Sequence, residues 1–203
     1  MSTEVHAHRN TPLRVPVQGT GGRVILLAVE DHDPATVRHS HLVVELARRV
    51  AHRLDLSPGQ IAEVEQVALL HDVGKLSIPH FILNKPGPLA ENEWAVMRSH
   101  TTIGADAVAE AAELAHLAPA VRACHERWDG RGYPDGLAGE EIPLASRITF
   151  ACDAYYAMTN DRPYRPARSK IVALSELRHG VGSQFCPRSA MALLDELLAG
   201  CLG

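Results

Sequence analysis

The segment Ile61 to Lys75 limits the fold more than any other stretch. Ile61, Val64, Ala68 and His71 recur at helical spacing, so a buried stripe runs into His71-Asp72-Val73-Gly74-Lys75. A carboxylate at the inner end of a buried helix costs several kcal/mol unless a cation meets it. Adjacent His and Asp suit a metal site. The imidazole binds one ion, and the two-oxygen carboxylate can bridge to a second. Gly74 allows a tight exit from the helix, which brings Lys75 back over the centre. The same residues also suit an ordinary helix C-terminus, where His and Lys meet the negative end of the dipole.

Helices account for the rest of the chain. Val24 to Val29 begins a first short apolar helix. Asp33-Pro34 caps a second, which runs to about Leu54 with His39, Val43, Leu46 and Val50 on the core stripe. His41 falls on the opposite, wet face with Glu45, Arg48 and His52. Ser57-Pro58-Gly59-Gln60 starts the helix that leads to His71. After a proline-marked loop, Trp94, Met97 and His100 are spaced by threes, and the helical pattern goes on from Ile103 to about Leu114. Trp128 to Gly136 holds three glycines, a proline and two aspartates, so it is a loop, extending to about Pro143. Its two aromatics mark it as functional rather than slack. Leu144 to Met158 is helical, and Asp153 is the lone charge from Ile148 to Met158. That acid needs a cation or donors. Helices over about Arg168–Arg178 and Pro187–Ala199 close an all-α chain.

Size and charge narrow the function. The 203 residues support one core, and Met1 to Gly22 reads as a flexible leader to a single domain over residues 23–203. A net charge of -4 gives no basic face for a nucleic-acid polymer. The apolar run at Val24–Val29 is too short to enter a membrane or act as a secretory signal. Cys124, Cys152, Cys186 and Cys201 form no zinc or disulfide spacing and read as reduced thiols in a cytoplasm. Histidine is the outlier, at 12 residues, of which His6 and His8 sit idle in the leader.

Taken together, His39-Ser40, His71-Asp72-Val73-Gly74-Lys75, His100, His125-Glu126-Arg127-Trp128-Asp129-Gly130-Arg131-Gly132-Tyr133-Pro134, Asp153 and Arg162-Pro163-Tyr164-Arg165 resemble the HD-GYP family. That family is a branch of the HD-domain metal-dependent phosphohydrolases. The resemblance covers about Asp33 to Leu198. It implies a helical bundle around a central metal site, and hydrolysis of cyclic di-GMP to pGpG and, in some members, on to GMP. It also implies two divalent ions: iron, manganese or zinc. One would be held by His39, His71, Asp72 and Asp153. The other would share Asp72 and take His100, His125 and the preceding residue, here Cys124. His71, Asp72 and Lys75 would carry the chemistry. Lys75, Arg162 and Arg165 sit where the family binds substrate phosphate, and Tyr133 lies in the loop tied to substrate or partner contact. Such a partner would be a GGDEF-type diguanylate cyclase, and a homodimer is a further expectation.

Departures from the family pattern are specific. Cys124 stands where a second histidine is usual, and its soft thiolate would favour zinc or leave the second ion short of a ligand. Ala35 and Tyr156 replace acids found in members with a third ion, which points to at most two. No sensor or receiver segment precedes the helices, so control through a fused phosphorylated receiver is not expected. Two metals about 3.5–4 Å apart can bind phosphodiester oxygens and supply a hydroxide near neutral pH. Lys75, Arg162 and Arg165 would neutralise developing charge. The alternatives are an impaired module that binds nucleotide or protein, and a phosphohydrolase for another nucleotide.

Overall fold

The structure, a computed structural model, describes residues 34–161 and 166–199, with side chains from residue 39 onward. The leader, the Val24–Val29 segment, Arg162, Arg165 and Cys201 lie outside the described residues.

Helix α1 spans Pro34–Arg53 and buries Val43, Ala47 and Val50 completely. Fully burying a valine side chain contributes about 1.5–3 kcal/mol. Helix α2, Pro58–Leu70, opens with the expected capping box: Ser57 Oγ accepts from Gln60 N–H, and Gln60 Oε1 accepts from Ser57 N–H at 3.0 Å. His71 ends α2, and a 3-10 turn, Val73–Ser77, follows at once. Next come α3 (His80–Leu83), α4 (Glu91–Arg98), α5 (His100–Glu110) and α6 (Ala118–Arg122). Helix α7, Leu144–Thr159, buries Ile148, Ala151 and Cys152. Ser169 caps α8, Lys170–His179, and α9 runs over Pro187–Ala199.

Helices α1, α2 and α7 pack mutually at the centre. Leu193 and Leu194 bring α9 into the same core, beside α1 and α7. On the other side, α5 lies against the Val73–Ser77 turn and against α6. Among the described residues no strand forms; two isolated bridges, Asp129–Ala138 and Val181–Phe185, pin loops. No helix among them is long and apolar enough to cross a membrane.

Three local expectations change. Trp94, Met97 and His100 do not lie on one helix: the chain breaks at Ser99, Trp94 is 44% exposed, and His100 starts a new helix. His41 is half-buried rather than on a wet face, and its Nδ1 is buried without a partner. Gly74 keeps an ordinary backbone, and its role is contact distance. A Cβ there would sit 1.9 Å from the His100 carbonyl oxygen and 2.7 Å from Gly104 N. Gly104 answers it across the contact, with its own Cβ position 3.0 Å from Gly74 N. This bare glycine pair lets the His71–Lys75 corner touch α5.

Candidate metal centre

Each histidine arrives from a different element. His39 projects from α1, His71 from the end of α2, His100 from the start of α5, and His125 from the 3-10 turn Ala123–His125 that follows α6. Asp72, 2% exposed, lies between them. Its two oxygens face different pairs. Oδ2 is 3.3 Å from His71 Nε2 and 3.8 Å from His39 Nε2. Oδ1 is 3.5 Å from His100 Nε2 and 4.0 Å from His125 Nε2. Donor atoms in the sets His39/His71/Asp72 and Asp72/His100/His125 all lie within 4.8 Å of one another. Ligands at 2.0–2.1 Å around a tetrahedral ion stand about 3.3 Å apart.

The donors are aimed and unused. Nε2 of His39, His71, His100 and His125, and Asp72 Oδ1, are buried with no hydrogen-bond partner. Buried polar atoms are almost always satisfied, so five orphans around one point fit a bound cation. The outer nitrogens fix two of the rings. His71 Nδ1 donates to the Ala68 carbonyl at 2.8 Å, and His100 Nδ1 donates to the Met97 carbonyl at 2.6 Å. A carbonyl only accepts, so Nδ1 carries a proton in both rings and Nε2 is the nitrogen left facing inward. Asp153 Oδ1 stands 3.0 Å from His39 Nε2 and completes that side.

The electrostatics agree with a site built for positive charge. Burial works against ionised Asp72, but His71, Lys75 and His125 outweigh it and hold the carboxyl well below its usual range. Burial likewise opposes ionised Asp153, and the neighbouring His39 and His71 overcome it and pull its carboxyl down. Desolvation pushes His100 down to about 4 despite the pull of Asp72, which keeps it a neutral ligand. Lys75 Nζ donates to Asp72 Oδ2 at 2.6 Å. The 3-10 turn is what brings Lys75 back three residues after the carboxylate.

Cys124 and Tyr133 each meet a specific neighbour. Cys124 is 1% exposed and joins neither donor set; its Sγ donates to the Ala120 carbonyl at 3.2 Å, one turn back. Burial, with the Asp72 and Asp153 charges, drives its thiol far above the ordinary range. Tyr133 stacks flat on His125, with centroids 5.2 Å apart and planes 7° apart, and meets the His100 ring edge-on. The Gly-Tyr-Pro tyrosine thus supports two imidazoles.

The loop that carries Tyr133 is anchored from below. Glu126 is buried, and its Oε1 accepts from Asp135 N–H at 2.7 Å and Gly136 N–H at 2.9 Å. A Cβ on Gly132 would sit 2.4 Å from Glu126 Cα, so glycine is required where the loop doubles back. Neither Glu126 nor the Tyr133–His125 stack stood out in the sequence, because each pairing joins residues whose meeting depends on the loop's path. Tyr156 packs its ring 4.7 Å from that of His39.

The HD domain family model matches residues 23–188. The response regulator RpfG of Xanthomonas campestris pv. campestris, a cyclic di-GMP phosphodiesterase, is 40% identical over 169 residues, covering 82% of this chain and 45% of that protein. The 3'3'-cGAMP-specific phosphodiesterase 2 of Vibrio cholerae is 35% identical over 177 residues, covering 85% of this chain and 34% of its own length. This chain therefore spans less than half of either relative. The fold is similar to that of the Bdellovibrio bacteriovorus HDG"Y"P protein Bd1817, with a TM-score of 0.67 and 19% identity over 87% of this chain and 60% of that one. It is also similar to the L. monocytogenes PgpH HD domain in complex with cyclic-di-AMP, with a TM-score of 0.64 and 17% identity over 88% and 95% of the two chains. With the matched region enclosing all of these converging segments, the chain belongs to the HD domain family.

Proposed function

We propose that this chain is a metal-dependent phosphodiesterase that opens a cyclic dinucleotide of the cyclic di-GMP type to the linear product pGpG, and on to GMP. The observation that carries it is Asp72, one buried carboxylate that offers each of its oxygens to a separate pair of unpartnered imidazoles. His39, His71, Asp72 and Asp153 would hold one divalent ion, and Asp72, His100 and His125 a second. When bound, such ions supply Lewis-acid stabilisation of phosphate oxygens and a nucleophile at neutral pH. Iron, manganese and zinc all suit an imidazole and carboxylate set.

The protein's own groups do the rest. Asp72 fixes the two halves of the site relative to each other. His71 and His100 hold their rings by backbone carbonyls, so their lone pairs need no reorganisation. Tyr133 lies flat on His125 and keeps that ring in plane. Lys75 offsets the Asp72 charge and places an ammonium at the edge where a phosphate oxygen would lie. Arg162 and Arg165 belong to the same proposal as phosphate-binding groups. The loop's exposed Arg131 and Asp135 leave an edge for a diguanylate cyclase of GGDEF type, and exposed Ile171 and Val172 leave a face for a second copy.

The test is chromatographic. Metal-loaded protein is incubated with cyclic di-GMP, 3'3'-cGAMP and cyclic di-AMP, beside an Asp72→Asn control. Linear product from at least one of them, absent in the control, supports the reading. Wild-type protein that holds metal and leaves all three intact refutes it.

A further inference from the structure

We infer that Arg98 and Trp94 form the recognition shelf for the half of the cyclic dinucleotide that is not being cleaved. This deepens the proposed phosphodiesterase reading and rests on it for the substrate class.

Placement comes first. Arg98 ends α4, two residues before His100. Its guanidinium carbon lies 5.5 Å from the centroid of the Tyr133 ring and 5.8 Å from that of Trp94. Tyr133 is itself stacked on His125. Arg98 is therefore one aromatic ring away from the candidate centre, and two rings hold it there.

Charge comes second. Lys75 is matched by Asp72, and Lys85 by Glu93. Arg122 is matched by Asp135, and Arg127 by Asp129. Arg98 has no carboxylate partner among the described residues. Distances of 5.5 and 5.8 Å from two ring centroids are within cation–π range, a contact that takes up none of the guanidinium N–H groups. A planar fork of that kind fits phosphate oxygens in pairs.

Exposure comes third. Helix α4 buries none of its residues, and the Trp94 indole is 44% exposed with Arg98 on it. A half-exposed indole beside a cation is a surface on which a purine can stack. A cyclic dinucleotide has two phosphodiesters and two purines. With one phosphate at the Asp72 centre, the other half has to lie along the rim, and Arg98 and Trp94 supply a phosphate donor and a stacking face there.

The experiment is calorimetric titration of manganese-loaded full-length protein with cyclic di-GMP, on wild type, Arg98→Met and Trp94→Ala. Methionine keeps an apolar stem against both rings and removes the charge. Metal content is measured on each sample, because a merely structural role through Tyr133 and His125 would lower it. The expected result is Kd raised about tenfold in Arg98→Met and by a smaller factor in Trp94→Ala, at wild-type metal content. Unchanged Kd, or weakened binding that only tracks lost metal, overturns the inference. Arg98-dependent binding without turnover would leave the shelf standing and defeat the enzyme reading. Turnover with Arg98-independent binding would do the reverse.

Discussion

Lys75 Nζ donates to Asp72 Oδ2 at 2.6 Å, and that same oxygen faces His71 Nε2 at 3.3 Å. One carboxylate oxygen thus serves a lysine and a candidate metal site together. Removing the lysine takes a positive charge away from a cation site, so metal affinity is not expected to fall. Loss of an ammonium poised for phosphate costs transition-state stabilisation instead. Lys75→Met is expected to lower kcat/KM about a hundredfold while metal per chain stays at the wild-type level. Elemental analysis beside initial rates checks this. Parallel loss of metal and rate would instead make Lys75 a strut for Asp72.

The two oxygens of Asp72 predict two separable half-sites. His39→Ala removes a donor from the Oδ2 side, and His100→Ala removes one from the Oδ1 side. Each variant is expected to retain metal at the other half, and Asp72→Ala is expected to empty both. Mass spectrometry under non-denaturing conditions reads the occupancy directly. Complete loss of metal in either histidine variant would mean that the donors act as one site.

Close packing of Gly74 on α5 gives a stability prediction. A methyl group at Gly74 would stand 1.9 Å from the His100 carbonyl oxygen, which is backbone and cannot swing aside. Gly74→Ala is expected to destabilise the fold by about 3 kcal/mol or more, and to lower metal content by displacing His100. Thermal unfolding in chelator and in manganese separates the two effects.

Much of this arrangement was legible in the sequence, and the illegible part has a common cause. Helical spacing marked His39 for the core, and the apolar run to Leu70 marked His71 and Asp72 as buried. The single charge among Ile148–Met158 singled out Asp153, which reaches His39. These are one-element patterns, and periodicity reports them. The Gly74–Gly104 contact, the Tyr133 stack and the turn of Cys124 toward Ala120 join separate elements or depend on side-chain rotation. Nothing in local spacing encodes them. The break at Ser99 was hidden because the residues on both sides share helical spacing, while the exposure of α4 is set by its neighbours.

Glu126 gives a prediction about the loop. Its Oε1 accepts two backbone N–H groups, from Asp135 and Gly136. Charge-assisted bonds of this kind are worth about 1.5–3 kcal/mol each, and losing the acceptor strands both donors. Glu126→Ala is expected to open the Trp128–Gly136 loop to limited proteolysis and to weaken binding of cyclic di-GMP. Glu126→Gln keeps a carbonyl acceptor in place and is expected to recover most of the protection. Equal protease sensitivity in both variants would assign the anchoring to the charge rather than to the acceptor geometry.

For Cys124 the sequence leaves two outcomes open, metal ligand or buried bystander. As a ligand its sulfur would face Asp72, and replacing it would cost metal. In the structure the sulfur donates to the Ala120 carbonyl, which also accepts from Ser146 Oγ at 2.7 Å. That carbonyl therefore keeps a partner when the thiol is removed. Cys124→Ala is expected to retain the wild-type metal content and cyclic di-GMP turnover, and to lose about 1 kcal/mol of stability from the hydrogen bond and the small void. The native thiol, buried and held in its protonated form, is expected to resist iodoacetamide until the protein is unfolded. Loss of one ion per chain in Cys124→Ala would show that the side chain rotates to the metal, and would return the sulfur to the second half-site.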